Sequence, residues 1–249
     1  MTAPGTGRLV RHLATVDSTN EHALAMAAAG APDGAVVVAD EQTAGRGRRG
    51  RAWHSPEGGL YLSYIVRDIE TIARPSLLTL AAGVAAARAI ADATGFEPDL
   101  KWPNDVLTPG RPRKLAGILA EASSVGSRVD VIVIGIGINV SMASVPAELQ
   151  AIAASLEGEL GRDVGRQALQ DALIERLDAE VARLRAGGEA QVLDEWRARS
   201  PGSRGARVSW REAGGERIGV TEGIDADGAL LVRGADGVQR LVAGEVIWT

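Results

Sequence analysis

Apolar residues in this chain recur with two periods, and each period predicts a different element. Alternation at every second position marks a strand, and spacings of three and four mark one face of a helix. Residues 60–66, Leu-Tyr-Leu-Ser-Tyr-Ile-Val, alternate as a strand, and residues 34–40, with Ala35, Val36, Val37 and Val38 in a row, read as a buried one. The segment 114–121 is turned back by Val125 and Gly126 into a strand over 129–140. Pro75 opens and Gly95 closes an Ala-rich helix through Leu77, Leu80, Val84, Ala87 and Ile90, which predicts a packing role. The chain then reads as helical from 146 to 186, with Leu169, Leu173, Leu177, Val181 and Leu184 at helical spacing, and a second helix over 189–199 carries Trp196.

The two ends read differently. After a short segment over 9–16, Asp17-Ser18-Thr19-Asn20-Glu21 precedes a helical run over 22–29 that Gly30 ends. Ser18 with Glu21 three residues on has the form of a capping box; the same hydroxyls and amide at a helix N-terminus can also hold a polar head group. Residues 200–205, Ser-Pro-Gly-Ser-Arg-Gly, read as a linker, which divides the chain into domains over 1–200 and 201–249. Beyond it, short runs at 207–210, 217–222, 229–233 and 239–242 are separated by Ala213-Gly214-Gly215, Asp225-Ala226-Asp227-Gly228 and Asp236-Gly237. Such turns at short spacing predict a small β-barrel.

Composition narrows the function. A hydrophobic content of 45% over 249 residues suffices for a sizeable core, and a formal charge of -5 argues against a whole-surface nucleic-acid binder. Without cysteine there is no disulfide, thiolate zinc site or thiol nucleophile, and His12, His22 and His54 lack metal-ligand spacing. The first seven residues are polar, and no apolar run is expected to reach the ~18 residues of a membrane span. A cytoplasmic location without a membrane partner is therefore expected.

The positive charge is local. Gly45-Arg46-Gly47-Arg48-Arg49-Gly50-Arg51 sets four guanidiniums among three glycines, closed by Trp53. Mutual repulsion and glycine entropy predict a segment that is mobile until an anion neutralises it. A dinucleotide fingerprint is excluded, because a strand and not a helix follows the glycines. A solvated basic loop or an Arg/Gly tract for nucleic acid remains open on the loop alone. Farther on, Pro103 forces Trp102 out of helical space and presents Asn104 beside Asp105, an amide and a carboxylate suited to hydrated Mg²⁺. Gly135 and Gly137 on one face of a strand leave room for something flat.

These motifs, Gly45 to Arg51 with Trp53, Lys101-Trp102-Pro103-Asn104-Asp105, Lys114-Leu115-Ala116-Gly117-Ile118-Leu119 and Gly135-Ile136-Gly137-Ile138-Asn139, together resemble the biotin protein ligases, or biotin–[acetyl-CoA-carboxylase] ligases. The resemblance implies an α+β fold: a mixed β-sheet catalytic domain with flanking helices, like class II aminoacyl-tRNA synthetases and biotin ligases, plus a C-terminal SH3-like β-barrel. It implies activation of biotin by ATP, with Mg²⁺, to biotinyl-5′-AMP and pyrophosphate. Biotin then passes to a lysine of a biotin carboxyl carrier protein of acetyl-CoA carboxylase and related enzymes.

By the same resemblance Ser18, Thr19, Asn20, Gln42 and Gly117 face biotin, Lys114 contacts its carboxylate and the α-phosphate, and Arg46, Gly47 and Arg48 fold over the carboxylate and the phosphates. Lys114, Arg48 and Arg46 are the expected catalytic residues. Arg48, Arg51, Trp53, Asn104, Lys114 and Asn139 are expected on ATP or the adenylate, with Asn104 and Asp105 on the metal. Because 16 residues precede Asp17, too few for the helix-turn-helix of repressor-type members, no DNA binding is expected. A homodimer is left open.

Overall fold

The computed structural model describes residues 7–126, 128–212 and 215–248. The polar stretch before Gly7 and the expected turn residues Ala213 and Gly214 lie outside them. Strand β1 (Val10–Val16) leads into α1 (Thr19–Ala28), then β2 (Val36–Gln42) and β3 (Leu60–Val66). Helix α2 (Leu78–Thr94) follows, and then the short hairpin β4 (Asp99–Lys101) and β5 (Asp105–Leu107) and the long hairpin β6 (Lys114–Val125) and β7 (Arg128–Ile138). Helices α3 (Leu156–Leu160), α4 (Arg166–Arg185) and α5 (Glu189–Ala198) precede a second set of strands. These are β8 (Arg204–Glu212), β9 (Gly215–Ile224), β10 (Leu230–Gly234), β11 (Gly237–Leu241) and β12 (Val246–Trp248).

The first seven strands form one mixed sheet in the order β1-β2-β3-β7-β6-β5-β4. Only β1 and β2 run parallel, joined through α1; every other neighbour is antiparallel. The last five strands form an antiparallel sheet, β11-β10-β9-β8-β12, the barrel-like C-terminal unit. Trp102 ties the two together, its indole N–H donating to Gly228 O at 2.9 Å.

Alternation along the central strands assigns the two faces of the large sheet. Val36 and Val38, Leu60, Leu62, Tyr64 and Val66, and Ile132, Ile134, Ile136 and Ile138 join the core that packs α2, α4 and α5. The opposite face sends Val37, Ile65, Val131 and Val133 against Ala23 and Ala27 of α1. Strand β3 is therefore buried throughout, with no solvated face.

Four expectations change. The helix over 146–186 is broken: residues 147–149 form a 3-10 turn, α3 ends at Gly161 with φ 64°, and α4 starts only at Arg166. The leucines at helical spacing, Leu169 to Leu184, all fall inside α4, beyond a left-handed residue that no helix admits in its interior. The capping box does not form, since α1 starts at Thr19, Ser18 makes no side-chain cap, and the Glu21 carboxylate meets Arg46 instead. The segment Pro75–Thr94 is, at 20 residues, long and apolar enough to span a bilayer by length and composition, contrary to the sequence expectation. Alanine explains it, since small side chains let this helix sit against the sheet, α4 and α5, where most of it is buried. Finally, β12 completes the C-terminal sheet at a position where no strand was expected.

Candidate active site

The register of the central strands lays out the floor of a cavity on the α1 face. Val133 lies opposite Ile65 and Glu121, Gly135 opposite Ser63 and Leu119, and Gly137 opposite Tyr61 and Gly117. Directly opposed residues share a face, so the apolar layer under α1 gives way to glycine and a cavity of about 240 Å³ opens. The bare strip carries two flat groups of the protein's own. A Cβ on Gly135 would fall 2.2 Å from Asn20 Oδ1, and one on Gly137 would fall 2.4 Å from Trp53 Nε1. The room that the two glycines predicted is thus shared with the Asn20 carboxamide and the Trp53 indole.

Of the residues expected at the site, Ser18, Thr19, Asn20, Gln42, Arg46, Gly47, Arg48, Arg51, Trp53, Asn104, Lys114, Gly117 and Asn139 all line this one cavity. Asp105 does not; its Oδ1 sits 2.5 Å from Lys114 Nζ, an ion-pair contact that lacks hydrogen-bond geometry. The stretch from 142 to 153, with 3-10 turns at Met142–Ser144 and Ala147–Leu149, supplies a further wall, through Val145, Leu149 and Ile152, that sequence periodicity did not disclose.

On the floor, one relay fixes the polar groups. Thr19 donates through its backbone N at 2.8 Å and its hydroxyl at 3.0 Å to Gln42 Oε1, and Gln42 Nε2 donates to Ser55 Oγ at 2.8 Å. Ser63 Oγ lies 2.6 Å from Asn20 Oδ1 and 2.8 Å from Thr19 Oγ1. Asn20 Nδ2 donates to Leu119 O and to Glu121 Oε2. What is left for a ligand is narrower than the sequence indicated: both Asn20 amide hydrogens are spent, whereas Ser18 Oγ makes no hydrogen bond among the described residues and Gln42 keeps one N–H. Ser63, Ser55 and Glu121 went unnoticed in the sequence. The one available signal was Ser63 itself, a lone serine in the aliphatic and aromatic run of β3, fully buried in the fold.

The glycine-arginine loop lies over the cavity with its guanidiniums spread among separate partners. Arg46 reaches Glu21 at 2.5 Å and both oxygens of Glu121. Arg48 donates to Asn104 Oδ1 at 3.0 Å and to Gly244 O at 3.2 Å, while Arg51 pairs with Glu245 at 2.9 Å. The expectation of a loop loosened by self-repulsion had left out these acceptors, which lie far away in the sequence. Only Arg48, of these three, has neutral partners alone. Burial and then neighbouring Arg49 hold its pKa below the ordinary value. Arg48, which lines the cavity, is a half-buried guanidinium whose charged form an anion would favour.

Trp53 and Lys114 complete the site. The Lys114 ammonium stands 5.2 Å from the Trp53 ring centroid, within reach of a cation–π contact. Trp53 Nε1 is buried without a partner among the described residues. Asn139 spends both amide hydrogens on Lys114 O and Ala154 O, which leaves its Oδ1 for a donor. For Mg²⁺ the nearby oxygens are Asn104 Oδ1, which already accepts from Arg48, and the Asp105 carboxylate, which already meets Lys114, and the described residues contain no group of three or more His, Asp or Glu side chains that could cage a metal. This suits an ion that keeps most of its shell as water and substrate phosphate.

A mixed sheet whose glycine-lined face is roofed by an arginine loop, with lysine and tryptophan between them, defines a ligase-type site for a small acid and a nucleotide. The profile of the biotin/lipoate A/B protein ligase family matches residues 13–139, and that of the biotin protein ligase C-terminal domain matches 205–248. The chain belongs to the biotin/lipoate A/B protein ligase family. It is 37% identical to the biotin--[acetyl-CoA-carboxylase] ligase of Paracoccus denitrificans over 241 residues, 95% of this chain and 99% of that one. The structure is similar to that of the biotin protein ligase from Aquifex aeolicus in complex with biotin and ATP, with a TM-score of 0.83 and 28% identity over 97% of this chain and 98% of that one. It is also similar to the Leishmania major biotin protein ligase in complex with biotinyl-5-AMP, with a TM-score of 0.63 and 26% identity over 94% and 99% of the two chains.

Proposed function

We propose that this chain is a biotin protein ligase that couples biotin to ATP and then acylates a lysine of a carboxylase carrier protein. The observation that carries this reading is the convergence in a single cavity of Ser18, Thr19 and Gln42 with Lys114 and with Arg48, whose hydrogen-bond partners are neutral. Ser18 Oγ and the spare Gln42 N–H face the ureido ring, which offers both donors and a carbonyl acceptor. The valeryl carboxylate then points toward Lys114 and Arg48.

Two anions, a carboxylate and an α-phosphate, must approach each other in the first step. A carboxylate oxygen bonds to the α-phosphorus, the bridge to the β-phosphate breaks, and pyrophosphate leaves. Lys114 and Arg48 lower the repulsion, and the contribution is positioning and charge neutralisation with no covalent enzyme intermediate. Mg²⁺, held near Asn104 with the triphosphate, would supply further neutralisation. In the second step the carrier lysine amine attacks the acyl carbon and AMP leaves. The chain divides for these tasks near residue 200, into a biotin- and ATP-binding part and a small C-terminal part, and it works in the cytoplasm.

On this reading Trp53 lifts from Gly137 to stack on adenine, whose exocyclic amine donates to Asn139 Oδ1. Base stacking on an aromatic side chain is worth about 1–3 kcal/mol, so Trp53→Ala should raise the KM for ATP by about tenfold or more while moving the KM for biotin far less. Equal changes in both constants would contradict the stacking. The whole function is tested by biotin-dependent exchange of labelled pyrophosphate into ATP. Exchange with biotin and none with lipoate is expected, followed by transfer to an apo carrier domain; no exchange with either acid would overturn it.

A further inference from the structure

Glu121 has a geometry that the reaction above does not use. Its Oε1 and Oε2 accept from Arg46 Nη2 at 2.9 and 2.8 Å, and Oε2 also accepts from Asn20 Nδ2 at 2.7 Å. Arg46 belongs to the roof and Asn20 to the floor, so one carboxylate at the edge of the cavity touches both. We propose that Glu121 is a positioning residue that clasps the arginine loop to the floor through Arg46 and Asn20, and that Arg46 serves this closure instead of binding the reacting anion.

Charge distinguishes Arg46 from Arg48. The two terminal nitrogens of Arg46 rest on carboxylates from two different elements, Glu21 of α1 and Glu121 of β6. A guanidinium between two carboxylates has no net positive field left to offer a phosphate. Arg48, whose partners are an amide and a backbone carbonyl, has. Arg46 Nε is buried without a partner among the described residues, so the carboxylates at the far end of the fork are what hold this side chain in place. The clasp also reaches the floor: Asn20 is oriented by Glu121 on its nitrogen and by Ser63 on its oxygen, and it lies against Gly135. Filling the pocket beside Asn20 stiffens the carboxamide on which the clasp depends, so occupancy of the floor and closure of the roof support each other.

The inference rests on the ligase reading only for its kinetic arm, and a ligand-free arm separates the two. In the empty protein, Glu121→Gln should speed tryptic cleavage after Arg48, Arg49 or Arg51 by about tenfold, because cleavage follows the open population of the loop. Cooperative melting of the variant shows that the fold survives; if it does not, Glu121→Asp, which keeps the charge and shortens the arm, must show faster cleavage. In exchange assays Arg46→Gln and Glu121→Gln should each raise the KM for biotin by about tenfold, a larger change than in kcat, and the double variant should be no worse than the weaker of the two single variants, as expected for groups acting as one pair. Unchanged cleavage in Glu121→Gln, multiplicative effects in the double variant, or a kcat loss confined to Arg46→Gln would overturn the clasp. A wild-type protein with no exchange activity would remove the ligase reading, and the cleavage rates would still decide the clasp.

Discussion

Lys114→Ala is expected to lower the rate of biotinyl-adenylate formation by about 10²–10³ or more, the usual consequence of removing one preorganised group that stabilises charge in a transition state. The side chain does not hold the strand in place. Lys114 enters β6 through its backbone, its N–H donating to Ile152 O at 2.8 Å and its carbonyl accepting from Ala154 N at 3.0 Å, and both bonds survive the substitution. What disappears is the ammonium that stands between Asp105, the Trp53 face and the cavity. Lys114 and Asp105 are both partly exposed, at 30% and 24%, so water can hydrate the Asp105 carboxylate once the ammonium is gone. Single-turnover formation of the adenylate, followed beside thermal melting, separates chemistry from folding. Activity at the wild-type rate would remove Lys114 from the mechanism.

Gly135→Ala should cost nearly as much, by a steric route. The added methyl would meet Asn20 at 2.2 Å from Oδ1, 2.8 Å from Cγ and 2.9 Å from Nδ2. Asn20 cannot simply swing aside, because it is buried and bonded to Ser63, Leu119 and Glu121. Either the carboxamide leaves its partners or the strand shifts, and overpacking of this kind costs about 1–3 kcal/mol. The floor next to Thr19 and Ser63 deforms in both cases. The KM for biotin should rise by about 100-fold, with a much smaller change for ATP, which on the proposed reading binds beyond Gly137 toward Asn139; a misplacement near 1 Å is enough for losses of that order. Isothermal titration with biotin alone would measure the effect, and unchanged affinity would mean that the vitamin does not sit on this floor.

Local pattern revealed much of this molecule and missed what depends on distance. The run at 60–66 coincides with β3 as Leu60–Val66, because an apolar run opened by two glycines and closed by charged residues carries its own signal. Helix α2 was bounded by Pro75 and Gly95, and Gly95 does take the left-handed conformation at its end, φ 77°. The 146–186 stretch failed at its start, because the apolar spacing that marks the helix begins only at Leu169, inside α4, and carries no signal for the residues before it. The Ser18–Glu21 pair failed for a different reason: a carboxylate with a local option took a guanidinium 25 residues away. The residues named by resemblance line the cavity, Asp105 excepted, yet Glu121, 75 residues from Arg46, had no local feature to mark it. Polar groups that answer to partners across the fold are what a one-dimensional reading sees least.

The roof of the site is pinned partly from the far end of the chain, at Gly244 and Glu245. These residues leave the ribosome after everything they hold down. During synthesis, floor and walls can assemble from earlier elements, since folding proceeds from the N-terminal side, while the cover still lacks its outer fastening. A polypeptide halted just short of that point would be a nearly finished vessel with an unsecured lid.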